Sequence, residues 1–566
     1  MHCTRNLLVI SLGVSLTAWG QGGGRRGAAA QNTTPAAPAA ATPAAGAAAG
    51  GGRGGRGGGG GGGGAAAGGG ASEFYNYDTT AASEPPITDG PPTETHQKIS
   101  LKGETLAYTA RAGYLPLRNA TTGQSEAHVF YTCYAKEGVT DATTRPMMFF
   151  FGGAPGVSAA WQEFGGFGPK RMKWASDGTA GMPPYVWSDN PSTLLGQADL
   201  VFVNPVGTGF SRPDQPSRGP TFWNSAADTA SLAEFVRSFL SANDRRNSPI
   251  FLAGEDFGTA RVSALAAYLH EHQIAVQGLV LLSMTMSADS MAGDEQYIVL
   301  LPSLIMSAWY HKKLSPELTA MSAEQISGQA RQFASREYLH ALYKADRMTA
   351  EERTKVVADL SRLTGLSKAF VENNNLRITL DRFNSELMRD QHREVSPSDA
   401  RVSGFALSMG GGRGGGGGGG GGRGGGGGGG AIDFNQENIA GGFQTAYEDY
   451  VRRELTFNSN SRYYLSSGGV SAFTATGSDD TSLAGAFARN PRMRLFVGVS
   501  FFDLNAPFFA TEFTLAHLNV SPEVRAHNIT ISHFEAGQMA YVDNKALAKL
   551  QGDLAGFLNE TTAARK

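Results

Sequence analysis

Apolar residues follow two rhythms along this chain. Short unbroken runs at 146–151, 198–203, 249–253 and 276–283 have strand length and few polar interruptions, which predicts strands buried on both faces. Between them the period lengthens: Leu232, Phe235, Val236, Phe239 and Leu240 mark one face of a helix, and 259–269 repeats that spacing. Strands alternating with helices argue for an α/β fold with a mostly parallel sheet and helices on both faces. The first ordered stretch differs. Segments 96–101 and 105–112, joined through Lys102-Gly103-Glu104, read as a hairpin, and 126–134 as a further strand. From 302 to 447 helical runs replace strand-like ones, at 323–345, 350–363 and 380–389, which predicts a helical insertion capping the sheet. The alternation then returns, with a strand at 493–500, a helix at 506–518, a strand at 529–532 and a last helix at 545–558.

Composition changes this picture at two places. Of 566 residues 76 are glycine, and they crowd into 21–71, with Ala and Pro, and into 410–430, which only Arg413 and Arg423 interrupt. Neither tract can bury apolar surface, so the first is expected to be a disordered tether and the second a disordered loop inside the fold. At the N-terminus, Arg5, an apolar stretch from Leu7 to Ala18, and Ala18-Trp19-Gly20 predict a cleaved signal peptide, and hence a secreted or periplasmic protein. That apolar run is too short to span a bilayer, and no later one is long enough. Cys3 would leave with the signal, so Cys133 would be unpaired and best used as a small buried apolar side chain. A net charge of −2 gives no general attraction to nucleic acid or to a membrane surface. The expected division is signal 1–20, linker 21–71, core 72–301, cap 302–447 with the loop 410–430, and core again over 448–566.

The chemistry centres on Gly254-Glu255-Asp256-Phe257-Gly258, which follows an apolar strand and opens a helix. Strand, glycine turn and helix are the frame of a nucleophile elbow, G-x-S-x-G, with aspartate in place of serine. Other stretches line up with it. They are Gly152-Gly153-Ala154-Pro155-Gly156-Val157-Ser158, then Phe167-Gly168-Pro169, Asp189-Asn190-Pro191 and Asn204-Pro205-Val206-Gly207-Thr208-Gly209-Phe210-Ser211. Within 302–447 lie Trp309-Tyr310-His311, Thr364-Gly365-Leu366 and Asp399-Ala400-Arg401; near the C-terminus come Phe502-Asp503-Leu504 and Glu535-Ala536-Gly537-Gln538-Met539. Together these resemble the serine carboxypeptidases, in particular the bacterial members of that α/β-hydrolase family.

The resemblance implies a Ser-Asp-His triad, whose positions are here Asp256, Asp503 and Gln538. An amide does not take a proton near neutral pH, so the base is lost, and a carboxylate is a poor nucleophile toward an amide. The family's oxyanion hole maps to the backbone N–H groups of Ala154 and Phe257. Its clamp for a substrate carboxylate maps to Gly152, beside Gly153, and to Glu255; Gly152 has no side chain to contribute. A charged Asp256 would also repel a peptide's terminal carboxylate by roughly 1–4 kcal/mol at contact. The expectation is a catalytically degenerate homologue that binds a peptide or small ligand. Two alternatives stand beside it: an active hydrolase, either carboxypeptidase-like or using Asp256 as nucleophile as in haloalkane dehalogenases, and an interaction protein working through its glycine tracts. His311 is expected to be structural, His533 structural or exposed, and His517 to lie on the surface. No metal-ligand or phosphate-loop spacing occurs, so no metal, cofactor or nucleic acid is expected.

Overall fold

The computed structural model describes residues 86–563, apart from 175–177, 285–292, 407–431, 468–469, 471–472 and 476–478. The expected signal 1–20, the linker 21–71, Cys3 and the loop 410–430 lie outside the described residues.

The apolar runs form strands. Strands β1 (Thr93–Leu101), β2 (Glu104–Arg118) and β3 (Ser125–Lys136) precede β4 (Met147–Phe151). A small antiparallel ribbon, β5 (Lys170–Met172) with β6 (Trp187–Asp189), comes next. It is followed by β7 (Asp199–Val203), β8 (Arg212–Pro213), β9 (Ile250–Glu255) and β10 (Val276–Leu282). A second ribbon, β11 (Arg393–Val395) with β12 (Ser403–Phe405), precedes β13 (Arg494–Ser500) and β14 (Ile529–Phe534). The main sheet runs β1-β2-β3-β7-β4-β9-β10-β13-β14, with β8 beside β3. Pairing is antiparallel from β1 to β7 and parallel from β7 to β14. The parallel part carries the site, because all its strands end on one edge.

Successive side chains of a strand face opposite ways. Met147, Phe149 and Phe151 of β4 join one core, and Met148 and Phe150 the other. The first core is covered by the helices Ser225–Ala242 and Phe257–Glu271 and continues without a break into the helices of 302–447, through Leu304, Ile326 and Leu360. The second is covered by the helices Phe434–Arg453 and Asn544–Ala563.

Three details depart from the sequence reading. The stretch 302–447 is not purely helical, since β11 and β12 lie in it. The boundary placed between 447 and 448 falls inside the helix Phe434–Arg453, whose Phe443, Tyr447 and Tyr450 pack beneath the sheet. That helix therefore serves the sheet's own core, which its position beyond a glycine tract conceals in the sequence. His533, expected past the end of its strand, lies inside β14. Cys133 is buried and unpaired as expected.

Where the second glycine tract leaves and rejoins the fold, its flanks are in contact. A Cβ on Gly404 would lie 2.0 Å from the Phe434 ring, and Ser396 Oγ donates to Asp433 at 2.6 Å. Replacing 407–431 by a four-residue Gly-Ser linker should therefore not lower the melting temperature; the shorter loop favours folding by about 1–2 kcal/mol. A clear drop in a thermal melt would show that the tract contributes packing.

Candidate functional site

The site is built where β9 breaks. Glu255 ends the strand and Phe257 begins a helix, leaving Asp256 to turn the chain at φ 54°, ψ −130°. This is the left-handed side of the map, strained for a side chain with a Cβ. Neighbours hold it there. The Asp256 N–H donates to Leu282 O at 3.1 Å, and the Asp256 carbonyl accepts from Thr259 N at 2.9 Å and Thr259 Oγ1 at 2.7 Å. The flanking glycines are required by space: a Cβ on Gly254 would lie 2.1 Å from Gly258 O, and one on Gly258 would lie 2.8 Å from Gly152 O.

The loop after β4 abuts this turn. Ala154 to Val157 closes a turn with Val157 N donating to Ala154 O at 2.9 Å; Pro155 and Gly156, at φ 88°, suit the two central positions of a type II turn. Gly153 is open enough for a Cβ, 3.8 Å from that of Asp256. Gly152 is not: a Cβ there would lie 2.1 Å from Val157 O. Arg261, one turn into the elbow helix, ties the pieces together. It is buried, its Nη1 donates to Gly152 O at 2.6 Å and Gly153 O at 3.2 Å, and its Nε donates to Asp228 at 2.6 Å.

Asp503 follows β13 and is completely buried. Its Oδ1 accepts from Asn505 N and Ala506 N, both at 3.0 Å. The Ser283 hydroxyl lies close by, but its proton goes to Gln538 O at 2.9 Å, which leaves Asp503 Oδ2 with no hydrogen-bond partner among the described residues. Gln538 is half-buried and turned toward Asn505, whose Nδ2 donates to Gln538 Oε1 at 3.3 Å. Glu255 accepts from the Tyr541 hydroxyl at 2.6 Å through Oε2, while its Oε1 is buried and unpartnered. One segment braces both C-terminal loops. Gln538 N donates to Ser398 O at 2.7 Å, Leu504 N to Pro397 O at 3.0 Å and Ala400 N to Phe502 O at 2.8 Å.

Three acids thus sit together with little to neutralise them. Burial pushes Asp256 up to about 6, against the opposing pull of the Phe257 N–H and the Arg261 charge. Burial pushes Glu255 up to about 8, with Asp256 and Asp503 adding repulsion. Asp503 is also pushed up to about 8 by burial, and the charge on Asp256 adds to it. The Phe257 N–H assigned to the oxyanion hole is directed at the Asp256 carboxyl itself, short of a good hydrogen bond.

The histidines are engaged elsewhere. His311 Nε2 donates to Ala400 O at 2.7 Å, and burial lowers its pKa. His533 Nε2 meets Glu512 at 2.5 Å, and His517 Nδ1 meets Phe513 O at 2.8 Å. Among the described residues no histidine is hydrogen-bonded to Asp256, Asp503 or Gln538, and no three His, Cys, Asp or Glu side chains are arranged to hold a metal ion. Without an imidazole, the arrangement has no group to take a proton from a hydroxyl nucleophile and return it to a leaving group. Motif reading had located the elbow and both C-terminal loops. It missed Arg261, Tyr541, Asn505 and Ser398. A signal existed for Arg261 alone, a lone charge on an apolar helix face.

Comparison with known proteins places this geometry. The family model described as serine carboxypeptidase matches residues 101–403, which include the first loop and the elbow and stop short of Asp503 and Gln538. Serine carboxypeptidase-like 36 of Arabidopsis thaliana is 29% identical over 140 residues, covering 24% of this chain and 27% of the plant protein. The match therefore spans about a quarter of that relative's length. The solved structure of Kex1, a prohormone-processing carboxypeptidase from Saccharomyces cerevisiae, superposes with a TM-score of 0.51 at 14% identity, covering 80% of this chain and 91% of Kex1. At that identity the likeness is one of fold.

An acid whose pKa is raised on folding binds more protons in the native state than in the unfolded one. Stability therefore falls as pH rises from the unfolded value near 4 to the folded one. Asp503→Asn keeps the Oδ1 acceptor and removes the titration. Relative to the parent it should gain stability progressively between pH 4 and about 8, by roughly 2–5 kcal/mol at the upper end. Denaturant melts at pH 5, 6, 7 and 8 measure this, and a difference that does not vary with pH would count against a buried, uncompensated acid.

Proposed function

Because the chain belongs to the serine carboxypeptidase family, we propose that it keeps the family's cleft as a binding site for a peptide or small ligand and has given up the family's hydrolysis. The observation that carries this reading is the absence of an imidazole at the elbow, among the described residues, with the Gln538 amide bonded to Asn505 in its place. The same lack weighs against Asp256 as a nucleophile. An ester on Asp256 needs a base to activate water for its release, and no side chain bonded at the site supplies one.

The first loop supports the reading independently. Gly152 takes the position of the family's clamp asparagine, and the close approach of Val157 O leaves no room for a side chain there. The change is thus built into the loop's path and is more than one altered side chain. The N-terminal sequence, with Arg5 and the apolar Leu7 to Ala18, supports export of the protein. Among the described residues no helix is long and apolar enough to cross a membrane.

A fluorophosphonate probe should not label the protein, and no C-terminal residue should be released from a peptide panel; labelling that disappears in Asp256→Ala would overturn the proposal. The double change Asp256→Ser with Gln538→His restores the missing groups on a turn that already has the elbow's geometry. It should gain probe labelling and slow ester hydrolysis, with no matching gain toward peptide C-termini, since Gly152 still provides no clamp. Gly152→Asn by itself should destabilise the fold by about 2 kcal/mol or more, through a forced shift of the loop backbone. A melting curve unchanged by that substitution would remove the steric argument.

A further inference from the structure

A cleft that has lost its imidazole but kept its acids is no longer balanced in charge. Asp256 is the half-exposed member, with Glu255 and Asp503 buried behind it. Both buried acids carry an oxygen with no hydrogen-bond partner among the described residues, Glu255 Oε1 and Asp503 Oδ2. Arg261 is the cation acting on Asp256, yet it is occupied by Asp228 and by the Gly152 and Gly153 carbonyls. What offsets burial at Asp503 is two backbone N–H groups and a hydroxyl; at Glu255 it is a phenol. Buried carboxyl groups left this way either hold a proton or wait for a cation. Phe257, the next residue, stands edge-on to Phe473 at 5.2 Å, and both are half-buried. The Arg261 guanidinium lies over the Phe257 ring, 5.4 Å from its centroid, so the pair offers a ligand apolar edges.

We infer that the cleft of this protein binds a primary ammonium group, seated on Asp256 with Asp503 and Glu255 behind it and an apolar tail against Phe257 and Phe473. This names the ligand class for the binding role proposed above and rests on that reading. An ammonium offers three donors on a compact charge, which suits a floor made of carboxyl oxygens. A bare metal ion fits less well, because no three acidic, His or Cys side chains among the described residues close around one point. The polarity is also opposite to that expected of a clamp for a terminal carboxylate, since Gly152 and Asp256 replace its attractive group and add a repulsive one.

The test is calorimetric titration of the full chain at pH 8 with three probes that share a phenyl tail: phenethylamine, 3-phenylpropionate and 3-phenylpropanol. None contains a bond that a hydrolase could cut, so binding is scored whether or not the protein turns anything over. Phenethylamine should bind at one site at least tenfold more tightly than the other two. Asp256→Asn with Asp503→Asn should weaken it at least tenfold, while melting no lower than the parent. If the double variant does not fold, Asp503→Asn is titrated alone; a threefold or greater loss supports the inference and unchanged affinity overturns it. Equal binding of all three probes, tighter binding of the anion, no binding of the amine, or displacement of the amine by millimolar calcium would each overturn it. Fluorophosphonate labelling would instead sink the non-hydrolytic reading and leave these titrations standing.

Discussion

The turn at Asp256 is the constraint on which the rest of the site depends. One non-glycine residue is held at positive φ because its neighbours leave no other path. A Cβ on Gly254 would run into the Gly258 carbonyl, and one on Gly258 would run into the first loop at the Gly152 carbonyl. Strain of this kind costs on the order of 1–3 kcal/mol and persists only where surrounding structure over-determines it. Here the parallel strands β4, β9 and β10 do so, through paired backbone on both sides of β9. The turn holds with an aspartate at the position where such turns carry a serine.

Gathering carboxyl groups behind this turn has an electrostatic consequence. In an active triad the buried aspartate is compensated by the imidazole it orients. Here Asp503 accepts from two backbone N–H groups with the Ser283 hydroxyl close by, and Asp256 adds a second acid nearby. The buried carboxyls respond by holding protons at pH values where exposed ones would not. A buried acid left this way carries a stability cost, which a neutral replacement would avoid and a ligand supplying positive charge would offset.

The site also depends on residues distant from it in sequence. The segment from Pro397 to Ala400 bonds to the backbone of both the Asp503 and the Gln538 loops. Arg261 holds the first loop by its carbonyls, and Tyr541 satisfies one oxygen of Glu255. Helices from 302 to 447 share one apolar core with the sheet that carries the elbow.

Much of the fold was legible in the sequence because its causes are local. Apolar runs of strand length became strands, and 3.6-residue spacing became helices whose ends agree within a few residues. The motif glycines predicted the elbow, because a missing Cβ is needed wherever two backbones nearly touch. The aspartate at the elbow and the glutamine at 538 are equally plain, since the identity of a residue at a motif position needs no coordinates. What tertiary structure alone decided was compensation. Whether another histidine replaces the base, whether Asp503 Oδ2 finds a donor, and whether Gly152 is a vacancy or a steric necessity all depend on atoms brought together from widely separated segments. The helix Phe434–Arg453 was assigned to the wrong part of the fold for the same reason: its apolar stripe reveals that it packs, and only the folded chain reveals on what.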